Sequence, residues 1–598
     1  MALARAIEDH GIIGDLKTAA LVALDGAIDF LCWPNFDSPS IFAALLDDEK
    51  GGCFELQPAL DGARHRQLYL PDTNILLTRF LSEHGVAEIS DFMELTEGDR
   101  PSRLIRRVKA VRNSIDFRMR CAPRFDYARA QHETVADGNA IVFTGADGLS
   151  LRLRSSVELQ SVDGAATAAF RLEPGEAAYF ILEDARNECA SVDATGEFVT
   201  RAFKETVNYW HRWVGRSTYK GRWRDVVTRS ALVLKLLTSA KHGSMIAALT
   251  FGLPEQVGGA RNWDYRYAWI RDSAFTTYAF LRLGHTDEAR EFVRWLSGIT
   301  SHSDTDGPIR TLYGIDGRKD LPETELPYLA GYRGSHPVRI GNDASAQLQL
   351  DIHGELMDAI YLADKYAEQI SYQAWQGIVR AMARLTETWH VPDQGIWEIR
   401  GGRRHLLHSR LMCWVAFDRA IRLARKRGLP APLVDWSETR DRIYREIHAD
   451  FWDEQQQAFV QSKGGTDLDA ACLLMPLVRF ISPTDPRWLS TLKAVGEQLV
   501  DDSLVYRYTG DDGLDGTEGT FSMCSFWYVE CLARAGDVKQ ARFLFEKMLG
   551  YSNHLGLYAE ELGKSGEHLG NFPQAFTHLS LISAAYYLDQ ASAVSPPC

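Results

Sequence analysis

The connections between helices constrain this chain more than the helices do. From about Val226 to Ala591, apolar residues recur with helical spacing in twelve segments, near 226–242, 268–284, 286–300, 344–366, 369–390, 408–428, 434–453, 468–479, 486–499, 520–536, 538–550 and 573–591. Connections from an even segment to the next odd one are short, as at Gly284-His285, Tyr366 to Ile370 and Gly536-Asp537. Those from an odd segment to the next even one are mostly long and rich in Gly, Trp, Asp and Arg, as in GLPEQVGGARNWDYRY and VPDQGIWEIRGGRRH. When consecutive helices alternate direction, every long connection emerges on the same side. Six hairpins closed into a ring therefore gather their elaborate loops on one rim, and such loops on a rigid scaffold are where function sits.

The first 200 or so residues read differently. Short alternating or β-branched runs such as AIVFTG, LSLRLRSSVEL and AAYFIL are separated by turn signals at Asp25-Gly26, Asp147-Gly148 and Asp163-Gly164, which predicts a β-sandwich. VTRAFKETVNYWHRWVG, from Val199, has helical spacing and reads as a linker. The expected division is a sandwich over 1–198, a helical linker over 199–225 and a helical domain over 226–598.

Composition narrows the partners. A net charge of -14 argues against phosphate backbones and anionic lipid, and favours a small neutral or cationic molecule. The N-terminus lacks a secretory core and no apolar run reaches 18 residues, so the expectation is a cytoplasmic protein with no membrane segment. A homo-oligomer stays open. Nine cysteines without a CxxC pair do not form a disulfide framework or a zinc knuckle. LGKS at Leu562 lacks the first glycine of a phosphate loop, and DDGLDG at Asp511 lacks the closing acid of a calcium loop. His405 and His408 find no further metal ligand at a plausible offset, so neither metal nor organic cofactor is expected.

What accumulates on the long connections is carboxylate, aromatic and arginine. NWDYRYAWIRDS carries Trp263, Asp264, Trp269, Arg271 and Asp272; GYRGSHPVRIGND carries Tyr332, Arg333 and Asn342; DGTEGTF carries Glu518. DQGIWEIRGGRRH sets Glu398 directly after Trp397, and LYAEELGKSGEHLGNF carries Glu560 and Glu561. Aromatic faces stack on the apolar faces of a sugar, charged forks bind its hydroxyls, and two carboxylates serve as acid and base across a glycosidic bond. A carboxyl buried beside an indole keeps its proton near neutral pH, and Glu398 is expected to be such a group.

At these residues the chain resembles glycoside hydrolase family fifteen, the group of glucoamylases and of bacterial and archaeal trehalases. The resemblance runs from IEDHGIIGDLKTAALVALDGAIDFLCWPNFDSPS through NWDYRYAWIRDS, GNDASAQLQLDIHGE, GIWEIRGGRRHLLHSRLMCWVAFDRA and DGTEGTFSMCSFWYVE to LGNFPQAFTH, and is closest to the trehalase-type members. It implies an N-terminal β-sandwich followed by an (α/α)6 toroid of six helical hairpins. It further implies that Glu398 is the proton donor and Glu560 the general base, with Glu561 and, more weakly, Glu518 as competitors. Arg271 and Asp272 would grip the nonreducing-end glucose, with Trp269, Trp397, Trp263, Tyr332 and Arg333 as wall and subsite residues. The implied reaction is inverting hydrolysis of an α-glucoside, with α,α-trehalose first and malto- or isomalto-substrates as the alternative. Retention of both glutamates argues against a carbohydrate-binding protein without catalysis. Trp33 and Phe36 in CWPNFDSPS belong either to the core or to a loop that reaches the catalytic rim.

Overall fold

The computed structural model of the chain describes residues 4–95, 98, 101–186, 193–301, 309–366, 369–510, 513–514 and 516–594. Its N-terminal part is two antiparallel sheets. One runs in space from His10–Gly14 through Ala19–Ala23, Ile28–Cys32, Cys53–Pro58, Ile115–Ala122 and Ala165–Leu172 to Gln160–Val162, with Ser40–Phe42 paired to Ile28–Cys32. The other runs from His132–Asp137 through Ala140–Gly145, Ser150–Ser155, Ala177–Asp184, Arg103–Arg112, Gly85–Met93 and Leu76–Ser82 to Arg64–Tyr69. Period-two alternation decides which face packs. Leu151, Leu153 and Ser155 are buried while Ser150, Arg152 and Arg154 are not, so a one-residue slip would turn this set away from the core. The predicted turn at Asp163-Gly164 closes the hairpin of Gln160–Val162 and Ala165–Leu172 with both residues at positive φ, the geometry that matches strand twist.

Between the sheets lies a buried cation. Arg106 pairs with Asp91 at 2.8 Å within its own sheet and donates to the Phe54 carbonyl of the other at 2.6 Å. Phe54 and Phe180 meet edge to face beside it.

The linker helix spans Gly196–Val214, starting three residues before the predicted Val199 because the Thr195 hydroxyl accepts the Phe198 N–H and caps it. Phe198, Val199 and Ala202 pack on Ile75, Phe92, Ile105 and Ile181 of the second sheet. Further along, Trp213 stacks on His285 with centroids 3.9 Å apart and donates to Glu288, which joins the helix to the toroid.

All twelve predicted segments contain helix. Ile270–Leu283, Ile352–Tyr366, Leu407–Arg427, the pair Ala470–Leu473 and Leu474–Leu477, Ser522–Ala535 and Ala575–Val594 contact one another in that order, and the last returns to the first, closing an inner ring. Arg224–Leu236, Thr286–Ser301, Tyr372–Thr388, Leu433–Asp450, Pro486–Gln498 and Val538–Leu549 lie outside it. Burial separates the two sets. Tyr372–Thr388 buries one stripe, Trp375, Ile378, Met382 and Leu385, whereas Ser522–Ala535 is buried around nearly its whole circumference. Gly284 and Gly536, at φ +89 and +99, end inner helices in left-handed caps that permit the abrupt turns read from the sequence.

Two departures matter for the site. The segment read as 268–284 begins its helix at Ile270, because Ala268 and Trp269 pair as a short strand with Leu312–Tyr313. The segment read as 468–479 is a 3-10 turn followed by one α-turn, with Pro476 removing a backbone donor. Both leave a side chain at the rim in a fixed direction: Trp269 in the first case and the cap residue Asp469 in the second.

Candidate active site

Trp269, Arg271, Asp272, Trp397, Glu398 and Glu560 come from three different rim connections and line one cleft of about 410 Å³. The strand-to-helix junction supplies the first three. Arg271 sits in the first turn of Ile270–Leu283, donates to the Ile396 carbonyl at 3.0 Å, and lies 3.3 Å from Asp272. It therefore holds the loop that carries Glu398. Trp269 Nε1 donates to Glu398 Oε1 at 2.7 Å, and Arg271 Nη2 is 3.8 Å from the same oxygen. The backbone of Glu398 is left-handed, at φ +57, a strained conformation for a residue with a side chain and of the kind found at functional sites. Its neighbour Trp397 is fixed by bonds of 2.9 and 3.0 Å from Nε1 to the Asp469 carboxylate.

The expectation that Glu398 is buried is met in part. Its side chain is 17% exposed, because it faces the cleft, with the indole of Trp269 and the guanidinium of Arg271 against it from the protein side.

Glu560 is the buried member of the pair, at 1% exposure. Oε2 accepts the Asn571 N–H at 3.3 Å, and Oε1 has no protein partner. Burial pushes its pKa up to about 8, reinforced by the charge of Glu255 and opposed by Arg507 and by a hydrogen bond with Tyr265. Gly570 runs against it at φ +71, and a Cβ there would stand 2.6 Å from Oε2.

Glu561 points the other way, as successive residues of an extended strand do. It accepts the Gly519 N–H at 2.8 Å and lies 3.4 Å from Arg507. Around Arg507 gather Glu255 at 3.3 Å and Glu518, which also meets Arg261 at 3.1 Å. Glu255, Glu518 and Glu561 thus share the guanidiniums of Arg507 and Arg261, and Glu560 lies within the field of this cluster without pairing to either. Burial, followed by the charge of Glu255, lifts Glu561 well above the usual carboxylate range, so Glu561 is a strong competitor for any proton this cluster holds. The fully buried Glu561 belongs to this cluster and does not line the cleft.

Other expected residues lie elsewhere. Trp263 is at the rim, donating to Glu255 at 3.1 Å with Arg339 and Arg400 on its faces, and does not line the cleft. Tyr332 and Arg333 are not brought to the glutamates. Their loop turns outward at Gly331 and Arg333, both at positive φ; Tyr332 is buried, and Arg333 donates to the Ala4 carbonyl. Asp264 and Arg266 form a buried pair whose guanidinium reaches the Ser38 carbonyl and the Tyr127 hydroxyl, tying this rim loop to the sandwich. Trp33 and Phe36 are in the core, at 1% and 2% exposure. Sequence reasoning missed Tyr265, Arg507, Gln574 and Phe576, all of which line the cleft. Tyr265 lay inside the quoted NWDYRYAWIRDS, whereas nothing in VYRYTG marked Arg507.

A cleft at the rim of an α/α toroid, walled by indoles and an Arg-Asp fork and faced by two glutamates from different loops, is the site of a glycosidase. Residues 221–586 match the family described as glycosyl hydrolases family 15, and residues 2–186 match a trehalase-like N-terminal domain. The chain is 37% identical to a trehalase of Thermoplasma volcanium over 98% of its own length and 94% of that protein. It is 36% identical to a trehalase of Mycobacterium tuberculosis over 98% of its length and 90% of that one. A solved bacterial glucoamylase in complex with acarbose superposes with a TM-score of 0.74 over 98% of this chain and 95% of that one, at 14% identity, and so shares the fold. The chain belongs to glycosyl hydrolases family 15. Among the described residues no helix is long and apolar enough to cross a membrane.

Proposed function

We propose that the protein is an inverting α,α-trehalase that releases two glucoses from trehalose, a small neutral carbohydrate. The observation that carries this reading is the full-length similarity to trehalases, N-terminal domain included. Glu398 protonates the departing glycosidic oxygen. Its exposed edge faces the cleft, so a bound sugar takes over the place of water there and brings the glycosidic oxygen to the carboxyl. Glu560 accepts the proton of the attacking water in its ionised form, which the Asn571 N–H and Tyr265 support against the burial and the Glu255 charge that hold its pKa up at about 8. Arg271 and Asp272 bind sugar hydroxyls beside Glu398, and Trp269 and Trp397 supply the apolar walls. Inversion requires room for water, hence carboxyls about 6.5–9.5 Å apart.

The division of labour follows the boundaries read from the sequence: a sandwich over 1–198, a linker over 199–225 and a catalytic unit over 226–598. Its support is the pair of family matches, which leave 187–220 between them. A cytoplasmic location accords with a soluble disaccharide substrate.

The test is glucose release from trehalose, maltose and isomaltose in parallel, with the anomers resolved by NMR at early times. The expected result is a preference for trehalose of at least about 100-fold in kcat/KM, with one α- and one β-glucose formed per turnover. Preference for maltose or isomaltose would move the protein to the exo-α-glucosidases, and two α-anomers would exclude inversion.

A further inference from the structure

On the side of Arg271 away from the cleft, the toroid holds a second polar site that the reaction above does not use. Asp351 and Glu355 lie four residues apart at the start of Ile352–Tyr366, and His408 lies in the first turn of the adjacent inner helix Leu407–Arg427. Each offers one ligand atom, and these atoms lie within 4.8 Å of one another, with His408 Nδ1 3.7 Å from Asp351 Oδ2. The three side chains are buried, at 0%, 2% and 3% exposure. Among the described residues, Asp351 Oδ2, both Glu355 oxygens and both His408 nitrogens have no hydrogen-bond partner. A fold that buries polar atoms ordinarily satisfies them, so five such atoms on three neighbouring side chains, with one ligand atom of each drawn together, call for an occupant.

Charge says what kind. Glu355 feels the carboxylates of Asp351, Asp272 and Asp358 and the guanidinium of Arg271. Asp358 is already paired with Arg419 at 2.6 Å. Asp351, Glu355 and Asp272 remain against Arg271 alone, an excess of negative charge that a divalent cation offsets. Two carboxylates and one imidazole form a mixed oxygen and nitrogen set, suited to first-row ions such as manganese, iron or zinc; magnesium and calcium prefer oxygen alone. An entry path exists: Glu355 also lines a cavity of about 740 Å³, together with Asp358, Glu530 and Arg534, and this cavity shares no lining residue with the sugar cleft.

The geometry points to a first-row divalent metal site formed by Asp351, Glu355 and His408 at the starts of two neighbouring inner helices. The ion fastens two neighbouring inner helices together and sits behind Arg271, whose other side faces Glu398. Sequence spacing did not reveal it because the acids that complete His408 come from a different helix.

The experiment uses the full chain. Protein purified without chelator is assayed for metal by mass spectrometry, then stripped and titrated with Mn2+, Zn2+, Mg2+ and Ca2+ while Tm is followed. A rise in Tm that saturates at one equivalent of Mn2+ or Zn2+, absent with Mg2+ or Ca2+ at the same concentration, is expected. His408→Gln should weaken that binding at least about tenfold. Because this variant can fail to fold, pulsed EPR of the Mn2+-loaded wild type provides a second reading and should show coupling to one imidazole nitrogen. No retained metal together with no Tm shift, an unchanged affinity in His408→Gln, or a manganese spectrum without nitrogen coupling would each overturn the assignment.

Discussion

The two glutamates of the cleft stand in opposite surroundings. Glu398 stands on a strained turn, open to the cleft and touched by one indole and one guanidinium. Glu560 is closed in by protein and stands beside three carboxylates, Glu255, Glu518 and Glu561, that share two guanidiniums. What surrounds Glu398 is local and changes when a sugar arrives. What surrounds Glu560 is built in, assembled from several loops before any substrate binds. In the roles proposed for them, acid and base share one kind of side chain and differ in that one takes its setting from the ligand and the other from the fold.

The harshest test removes each in turn. Glu398→Gln and Glu560→Gln should each lower kcat by roughly 10²–10⁴-fold, the ordinary worth of a positioned acid or base, with circular dichroism and Tm showing an intact fold. Near wild-type activity in either would break the pairing. Gly570→Ala asks whether the closed setting of Glu560 is a matter of geometry. A methyl group at 2.6 Å from Oε2 displaces the carboxylate, and kcat should fall by up to about 100-fold with little change in KM.

A smaller effect separates charge from position. Glu255 raises the pKa of Glu560, so Glu255→Gln should lower it, and the acidic limb of kcat/KM should move to lower pH. A limb that stays in place would show that the carboxylate cluster does not govern the base.

The mildest test concerns stability. Glu560 at about 8, Glu255 at about 7 and Asp469 at about 6 are all raised, by burial before any other cause, above the roughly 4 of an unfolded carboxyl. These three groups therefore bind more protons in the folded chain than in the unfolded one between about pH 4 and 8, so their contribution to stability falls as pH rises through the folded-state values, whereas buried His285 and His353, lowered to about 4, act in the opposite sense up to about pH 6.5. Above the histidine range Tm should decline, from about pH 6.5 to pH 8, and a rise across that interval would contradict the burial of these groups.

Much of the frame was legible in the chain itself. Trp375, Ile378, Met382 and Leu385 recur with the spacing of one helical stripe, and Asp163-Gly164 marks a hairpin, because both signals are local and survive without tertiary context. Glu398, Glu560, Arg271 and Asp272 were found as motifs on long connections, and the fold brings all four to one cleft. Tyr332 and Arg333 had the same composition and the same kind of loop, yet their loop packs against the N-terminal segment, a contact between residues more than 300 positions apart. Glu561 was indistinguishable from Glu560 until strand alternation turned it away. The buried Glu398 of the expectation was an inference from its neighbour Trp397, which in the structure bonds to Asp469 and leaves the covering of Glu398 to Trp269.

By itself, then, the sequence determined the period of each element, the hairpin order of the toroid and the residue types available at its rim, since these follow from neighbours along the chain. Only the tertiary structure decided which glutamate is buried, which carboxylates share Arg507, and that Asp351, Glu355 and His408 meet, because desolvation and electrostatic fields are summed over groups that are close in space and distant in sequence.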